Sequence, residues 1–167
     1  AKKFNLSDFD HIMFSYHGIP ERHVDKVYLD GKPCADHQCD KEINHENKHC
    51  YKAACYATSR LLVEALSLED GTYSTCFQSR LGRDPWLKPY TDHVVEKLGK
   101  EGKKRVLVFS PAFVADCLET TIEIGEEYLE LFQEHGGEEL QLVPSLNDND
   151  DWAEGLYEII KEKVSKT

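Results

Sequence analysis

Three groups of side chains in this sequence have the types and spacing to do chemistry. The first is Asp116 and Glu119, in the segment Ser110-Pro-Ala-Phe-Val-Ala-Asp-Cys-Leu-Glu-Thr120. It follows the apolar run Val106–Phe109 and opens a long helical pattern, so both carboxylates fall where a parallel strand hands over to a helix. Ligands of open α/β sheets bind at that end of the strands. The second is His17 in Phe14-Ser-Tyr-His-Gly-Ile-Pro20, just past a predicted strand. A histidine there can be a metal ligand, a general base or a loop residue that caps a backbone group. Gly18 and Pro20 make its loop tight. The third is the set Cys34, Cys39, Cys50 and Cys55, with gaps of four, ten and four residues. Clustered thiols without a secretory signal point to metal or redox chemistry rather than disulfides.

These groups need elements to position them. His11–Tyr16, Thr72–Phe77, Arg105–Phe109 and Glu139–Val143 read as strands. Helical patterns cover residues 47–67, 91–101 and 116–135, and Asp150–Val164. Thr91 reads as an N-cap, and Gly136-Gly137 as the stop of the third helix. Fourfold strand-helix alternation predicts an α/β fold, a doubly wound parallel four-stranded sheet with flanking helices. Residues 26–55 hold a Cys-rich, polar insert that breaks the alternation, within a single domain over residues 1–167. Cys76, in a strand, and Cys117, at a helix start, read as buried small residues.

On an ideal helix, Asp116, Glu119, Glu123, Glu126, Glu127, Glu130 and Glu134 share a wedge of about 100°. Leu118, Ile122, Leu129 and Phe132 lie outside it. Pattern alone fits a solvated amphipathic helix, with Asp116 and Glu119 as a capping box. The chemical alternative is a line of carboxylates that binds a divalent cation or carries protons. If the first and third strands are neighbours, His17 and Glu119 face one cavity.

Composition narrows the classes. The chain has 167 residues and a net charge of −11, which excludes a phosphate-neutralising nucleic-acid surface. No apolar stretch approaches the ~18 residues of a membrane span. The start, Ala1 to Asp8, lacks the apolar core of a signal peptide. A cytoplasmic setting, with peripheral membrane contact, is expected.

Taken in series, three motifs resemble the ferrochelatase family, specifically its C-terminal half. Ser15-Tyr-His-Gly-Ile-Pro20 resembles its Ser-x-His-Gly-x-Pro motif. Phe77–Gly82 with Pro85–Asp92 resembles its porphyrin-site loop. Pro111–Thr120, continued by Glu123, Gly136-Gly137 and Leu146-Asn147, resembles its closing segment. The resemblance implies a chelatase-like fold with one Rossmann-like half in this chain. It implies insertion of Fe²⁺, as substrate, into protoporphyrin in heme biosynthesis. His17 would accept pyrrole protons and Glu119 would face it across the macrocycle. Asp116, Glu123 and Glu127 would extend the acidic path through a π-type turn. Ser79, Arg80 and Trp86 would lie at the porphyrin edge. Partners would be the porphyrin and the N-terminal half of the enzyme.

Some microbial members carry a 2Fe–2S cluster on an internal cysteine segment, and this insert resembles it. Zinc is the alternative, on four thiolates or on three with His37, His45 or His49. Two other functions stay open: a chelatase for a different tetrapyrrole, and a non-catalytic iron–sulfur redox module.

Overall fold

The structure is a computed structural model and describes residues 4–165. Ala1–Lys3, which belong to the start examined for a signal peptide, lie outside the described residues, as do Lys166 and Thr167. Four strands, β1 (His11–His17), β2 (Tyr73–Gln78), β3 (Arg105–Phe109) and β4 (Glu139–Leu142), form one parallel sheet in the order β2-β1-β3-β4. Its two inner strands, β1 and β3, are therefore neighbours, as the placement of His17 opposite Glu119 required. β1 is buried at every residue except His17. A strand covered on both faces reads as an unbroken apolar run, which is why β1 and β3 stood out in the sequence.

Among the described residues, six α-helices flank the sheet: α1 (Glu21–Asp25), α2 (Tyr51–Leu66), α3 (Thr91–Lys100), α4 (Leu118–Thr121), α5 (Tyr128–Glu134) and α6 (Asp150–Val164). On one face Ile12, Phe14, Tyr16 and Leu107 pack with Ala53 and Cys55 of α2. Cys34, Cys39, Cys50 and Tyr28 of the insert join that same core, so the insert is packed in rather than appended. On the other face Met13, Cys76, Val106 and Val108 pack with Val95 and Leu98 of α3, and with Ile124 and Phe132. Gly137 lies so close to this layer that an added Cβ would sit 2.2 Å from the Phe132 ring.

Several local expectations are corrected. The helix expected over 47–67 starts at Tyr51, because Asn47 is buried in a turn where its side chain bonds the backbone of Glu42 and Asn44. Thr91 is the first residue of α3 rather than its cap; its buried hydroxyl lies 3.0 Å from that of Ser15. The single helix expected over 116–135 is three pieces, while the π segment Glu123–Glu127 between α4 and α5 is the π-type turn that the resemblance implied. Both Glu126 N and Glu127 N reach the Ile122 carbonyl, at 2.9 and 3.0 Å. The capping box belongs to Cys117 and Thr120, one residue away from the expected Asp116 and Glu119. Cys117 is consequently half-exposed rather than buried, whereas Cys76 is wholly buried.

Candidate active site and cysteine pocket

The parallel sheet brings the ends of β1, β2 and β3 together at one mouth. His17 closes β1 and stands in register with Gln78 of β2. Its ring lies 6.4 Å from that of Trp86 and 6.1 Å from that of Phe113, centroid to centroid. The His17 carbonyl accepts from the Tyr51 hydroxyl at 2.8 Å, and its Nδ1 is 2.6 Å from the Gly18 carbonyl. The next turn passes hard against β2. Gly18 N–H bonds the Gln78 carbonyl, and a Cβ on Gly18 would stand 2.9 Å from that oxygen and 3.3 Å from Trp86. Only a residue without a side chain lets the imidazole sit there.

Gln78 joins the histidine to the acidic helix. It is 1% exposed, and its Oε1 accepts from the Ser15 hydroxyl at 2.8 Å. Its Nε2 donates to the Glu119 carbonyl at 2.6 Å and to a Glu123 carboxylate oxygen at 3.1 Å. Glu123 accepts three further bonds, from Ser79 N–H at 2.7 Å, from the Ser79 hydroxyl, and from the Tyr128 hydroxyl at 2.6 Å. Burial, with the Glu123 charge beside it, pushes the Tyr128 phenol well up from its ordinary range. Glu119 is exposed in the first turn of α4. Its own backbone N–H first, then the Cys117 thiol and the neighbouring His17 imidazole, hold its carboxyl below the usual carboxylate range.

Asp116 serves a different geometry. Its oxygens accept from Ser145 N–H and Asn147 Nδ2, each at 2.9 Å, while Asp116 N–H donates to Asn147 Oδ1 at 2.9 Å. This clamp ties the loop after β3 to the loop after β4, and it holds the Asp116 carboxyl below its ordinary range through Asn147 first and Ser145 second. Ser79 touches Glu123 directly. Trp86 is half-buried, and its indole N–H donates to the Leu81 carbonyl at 2.9 Å. Arg80 lies over the Tyr90 ring at 4.1 Å and pairs with Asp92 at 2.6 Å. Gln78, Ser15, Tyr128 and Asn147 were not singled out as site residues from the sequence. Ser15, Gln78 and Asn147 lie within the quoted motifs, but nothing in their spacing gave them a role.

The cysteine pocket lies on the α2 face. The Cys34 sulfur is 3.4 Å from that of Cys39 and 3.5 Å from that of Cys50, and the three lie within 4.8 Å of one another. All three are at most 3% exposed. The contact between the Cys34 and Cys50 thiols draws the Cys50 thiol down from its ordinary range and pushes Cys34 up. Three converging buried thiols are a donor set for a thiophilic ion or cluster. Cys55 is buried in α2 but stands outside this group of three, so the expected set of four is met only in part. His37 is also outside it, stacked on Tyr28 with ring centroids 3.7 Å apart.

The sequence profile of the Ferrochelatase family matches residues 1–164. The chain belongs to the ferrochelatase family. It is 48% identical over 158 residues to a ferrochelatase of Pseudomonas fluorescens (strain SBW25), covering 93% of this chain and 46% of that protein. It is 47% identical over 155 residues to a ferrochelatase of Bdellovibrio bacteriovorus, covering 92% and 45%. The chain thus spans about half the length of the curated family members it matches. Among solved structures, a cobalamin (vitamin B12) biosynthesis CbiX protein from Marinobacter aquaeolei VT8 superposes with a TM-score of 0.52 at 15% identity, covering 94% of this chain and 98% of that one. That likeness is one of fold. Among the described residues, no helix is long and apolar enough to cross a membrane.

Proposed function

We propose that this chain is the C-terminal half of a ferrochelatase and supplies the histidine and the carboxylates for inserting Fe²⁺ into a porphyrin in heme biosynthesis. Insertion exchanges one Fe²⁺ for two pyrrole protons. His17 is the base that receives protons at the macrocycle centre, and Glu119 faces it. Glu123 and Glu127 continue the acidic line through the π segment, while Asp116 sets the loop through its clamp. Ser79, Arg80 and Trp86 border the porphyrin. The observation that carries this reading is Gln78, the register partner of His17, bonded to both Glu119 and Glu123. In the full-length protein, His17→Ala should lower iron insertion by roughly 10²–10⁴-fold, the contribution usual for a positioned base, with an unchanged circular dichroism spectrum. Near-normal turnover would remove His17 from the mechanism. Protoporphyrin and sirohydrochlorin assayed side by side separate this reading from a chelatase for another tetrapyrrole.

The cysteine pocket supports a 2Fe–2S cluster on Cys34, Cys39 and Cys50. Cys55, buried in the first turns of α2 just after Cys50, would be the fourth ligand. Such a cluster would supply a one-electron redox centre. Zinc on the triad is the second reading, and iron, acid-labile sulfide and zinc measured on anaerobically purified protein distinguish them. Free thiols at all six cysteines suit a reducing, cytoplasmic setting.

The partner is the other half of the enzyme. α6 carries Leu156, Tyr157, Ile159, Ile160 and Val164, between 41% and 69% exposed, and none of its described residues is buried. Such a stripe is what a second domain covers. Slow hydrogen exchange along α6 in the full-length protein is the expected result, and fast exchange would remove the helix from the interface. Contact with the membrane surface, from which an apolar porphyrin would be delivered, belongs to the same reading, and flotation with anionic vesicles tests it.

A further inference from the structure

The three thiols of the pocket share a neighbour that is neither cysteine nor histidine. Tyr28 is 7% exposed, and its hydroxyl lies 2.7 Å from the Cys39 sulfur and 4.0 Å from that of Cys34. The ring cannot swing freely, since its face is stacked on the imidazole of His37 with 6° between the planes. His37 is in turn flanked by Asp30 at 3.4 Å and Glu46 at 3.6 Å. The phenol is thereby aimed at sulfur, from a chain position eleven residues before Cys39.

A thiolate sulfur that accepts a hydrogen bond gives up part of its charge to the donor. The reduced centre carries one more negative charge than the oxidised one, so it gains more from that bond. Hydrogen bonds to the sulfurs are among the means by which a protein sets an iron–sulfur potential. We propose that Tyr28 donates a hydrogen bond to the Cys39 thiolate and so raises the reduction potential of the cluster held in this pocket. The inference rests on the cluster reading of the pocket. Tyr28 is a positioning and tuning residue; it touches no substrate.

The test compares full-length wild-type protein with Tyr28→Phe, both purified without oxygen. Iron and acid-labile sulfide are quantified first. The cluster is then titrated with dithionite and followed by electron paramagnetic resonance. The expected result is two irons and two sulfides in both proteins, with a more negative midpoint in Tyr28→Phe. Resonance Raman spectra give a second readout, needed if the variant holds its cluster poorly. Transfer of the wild type from H₂O to D₂O should shift an Fe–S(Cys) stretching band, and that shift should be absent in Tyr28→Phe. Equal midpoints and equal isotope shifts with the cluster intact would overturn the role of Tyr28 and leave the cluster reading standing. A wild-type protein with zinc, or with no metal, would overturn both.

Discussion

Glu123 at the sheet mouth is held by side chains and backbone from β2 and α5, whereas Cys34, Cys39 and Cys50 are held by an insert and by one another. At the mouth His17 and Gln78 close β1 and β2, and Glu119 and Glu123 lie in the first turns of α4 and of the π segment. Between α1 and α2 the insert has a single short 3-10 turn, Cys34–His37, as its regular structure. Both regions share one hydrophobic layer with the sheet, yet only the mouth is fixed by the sheet's own hydrogen bonding. A site built on strand ends exists before its substrate arrives. A site built from a long loop depends on what its ligands hold, since metal binding and loop order are then one equilibrium.

The sharpest way to break this contrast is to remove a thiol. Cys50→Ala should lower bound metal from stoichiometric to near zero, and residues 26–50 should become open to proteolysis while the sheet's circular dichroism persists. Loss of the whole fold would mean that the insert and the sheet are a single unit.

His11 extends the contrast to the far end of β1, where a histidine serves only the fold. Burial pushes its imidazole down to about 4, with Lys103 adding to the effect. Its folded value lies below its unfolded value, so the unfolded chain binds the proton first. Stability is therefore full above about pH 6.5 and falls as the pH drops toward 4, by roughly 2–3 kcal/mol. Urea melts of wild type and His11→Gln should diverge in slope over that window. Parallel pH profiles would contradict a neutral buried His11.

At the mouth, Glu123→Gln places an amide NH₂ among groups that all donate, namely Gln78, Ser79 and Tyr128. Stability should fall by about 1–3 kcal/mol, read by thermal melting, while the metal content of the insert stays constant. An unchanged melt would mean that the mouth is less preorganised than its hydrogen bonds imply. The smallest effect belongs to Arg80, whose pair with Asp92 is partly exposed. Arg80→Ala should cost under about 1 kcal/mol, but it should raise KM for the porphyrin if the guanidinium borders the substrate. Unchanged stability together with unchanged KM would leave Arg80 as surface only.

The sheet was legible because strands buried on both faces leave continuous apolar runs, and because parallel strands separated by helices admit few topologies. The position of His17 at the end of β1, and of Glu119 and Glu123 on the helical stretch after β3, was legible because each segment follows an apolar run. What escaped were partners set by the fold rather than by spacing. Gln78 meets Glu119 and Glu123 across 41 and 45 residues, and Asn147 meets Asp116 across 31. Tyr28 escaped because the path of an irregular loop decides which of its side chains turn inward. The spacing of Cys34, Cys39, Cys50 and Cys55 read as one set of four ligands. In the fold Cys55 lies inside α2 and outside the group formed by Cys34, Cys39 and Cys50.

The π segment Glu123–Glu127 fixes the length of its stretch of chain. One residue fewer there would tighten the wide turn into an ordinary one and rotate everything beyond it by about 100°. Phe132, wholly buried, would swing out of its layer, and Tyr128 would leave Glu123. Between Glu119 and Phe132, descendants of this sequence can therefore exchange letters far more readily than they can gain or lose one.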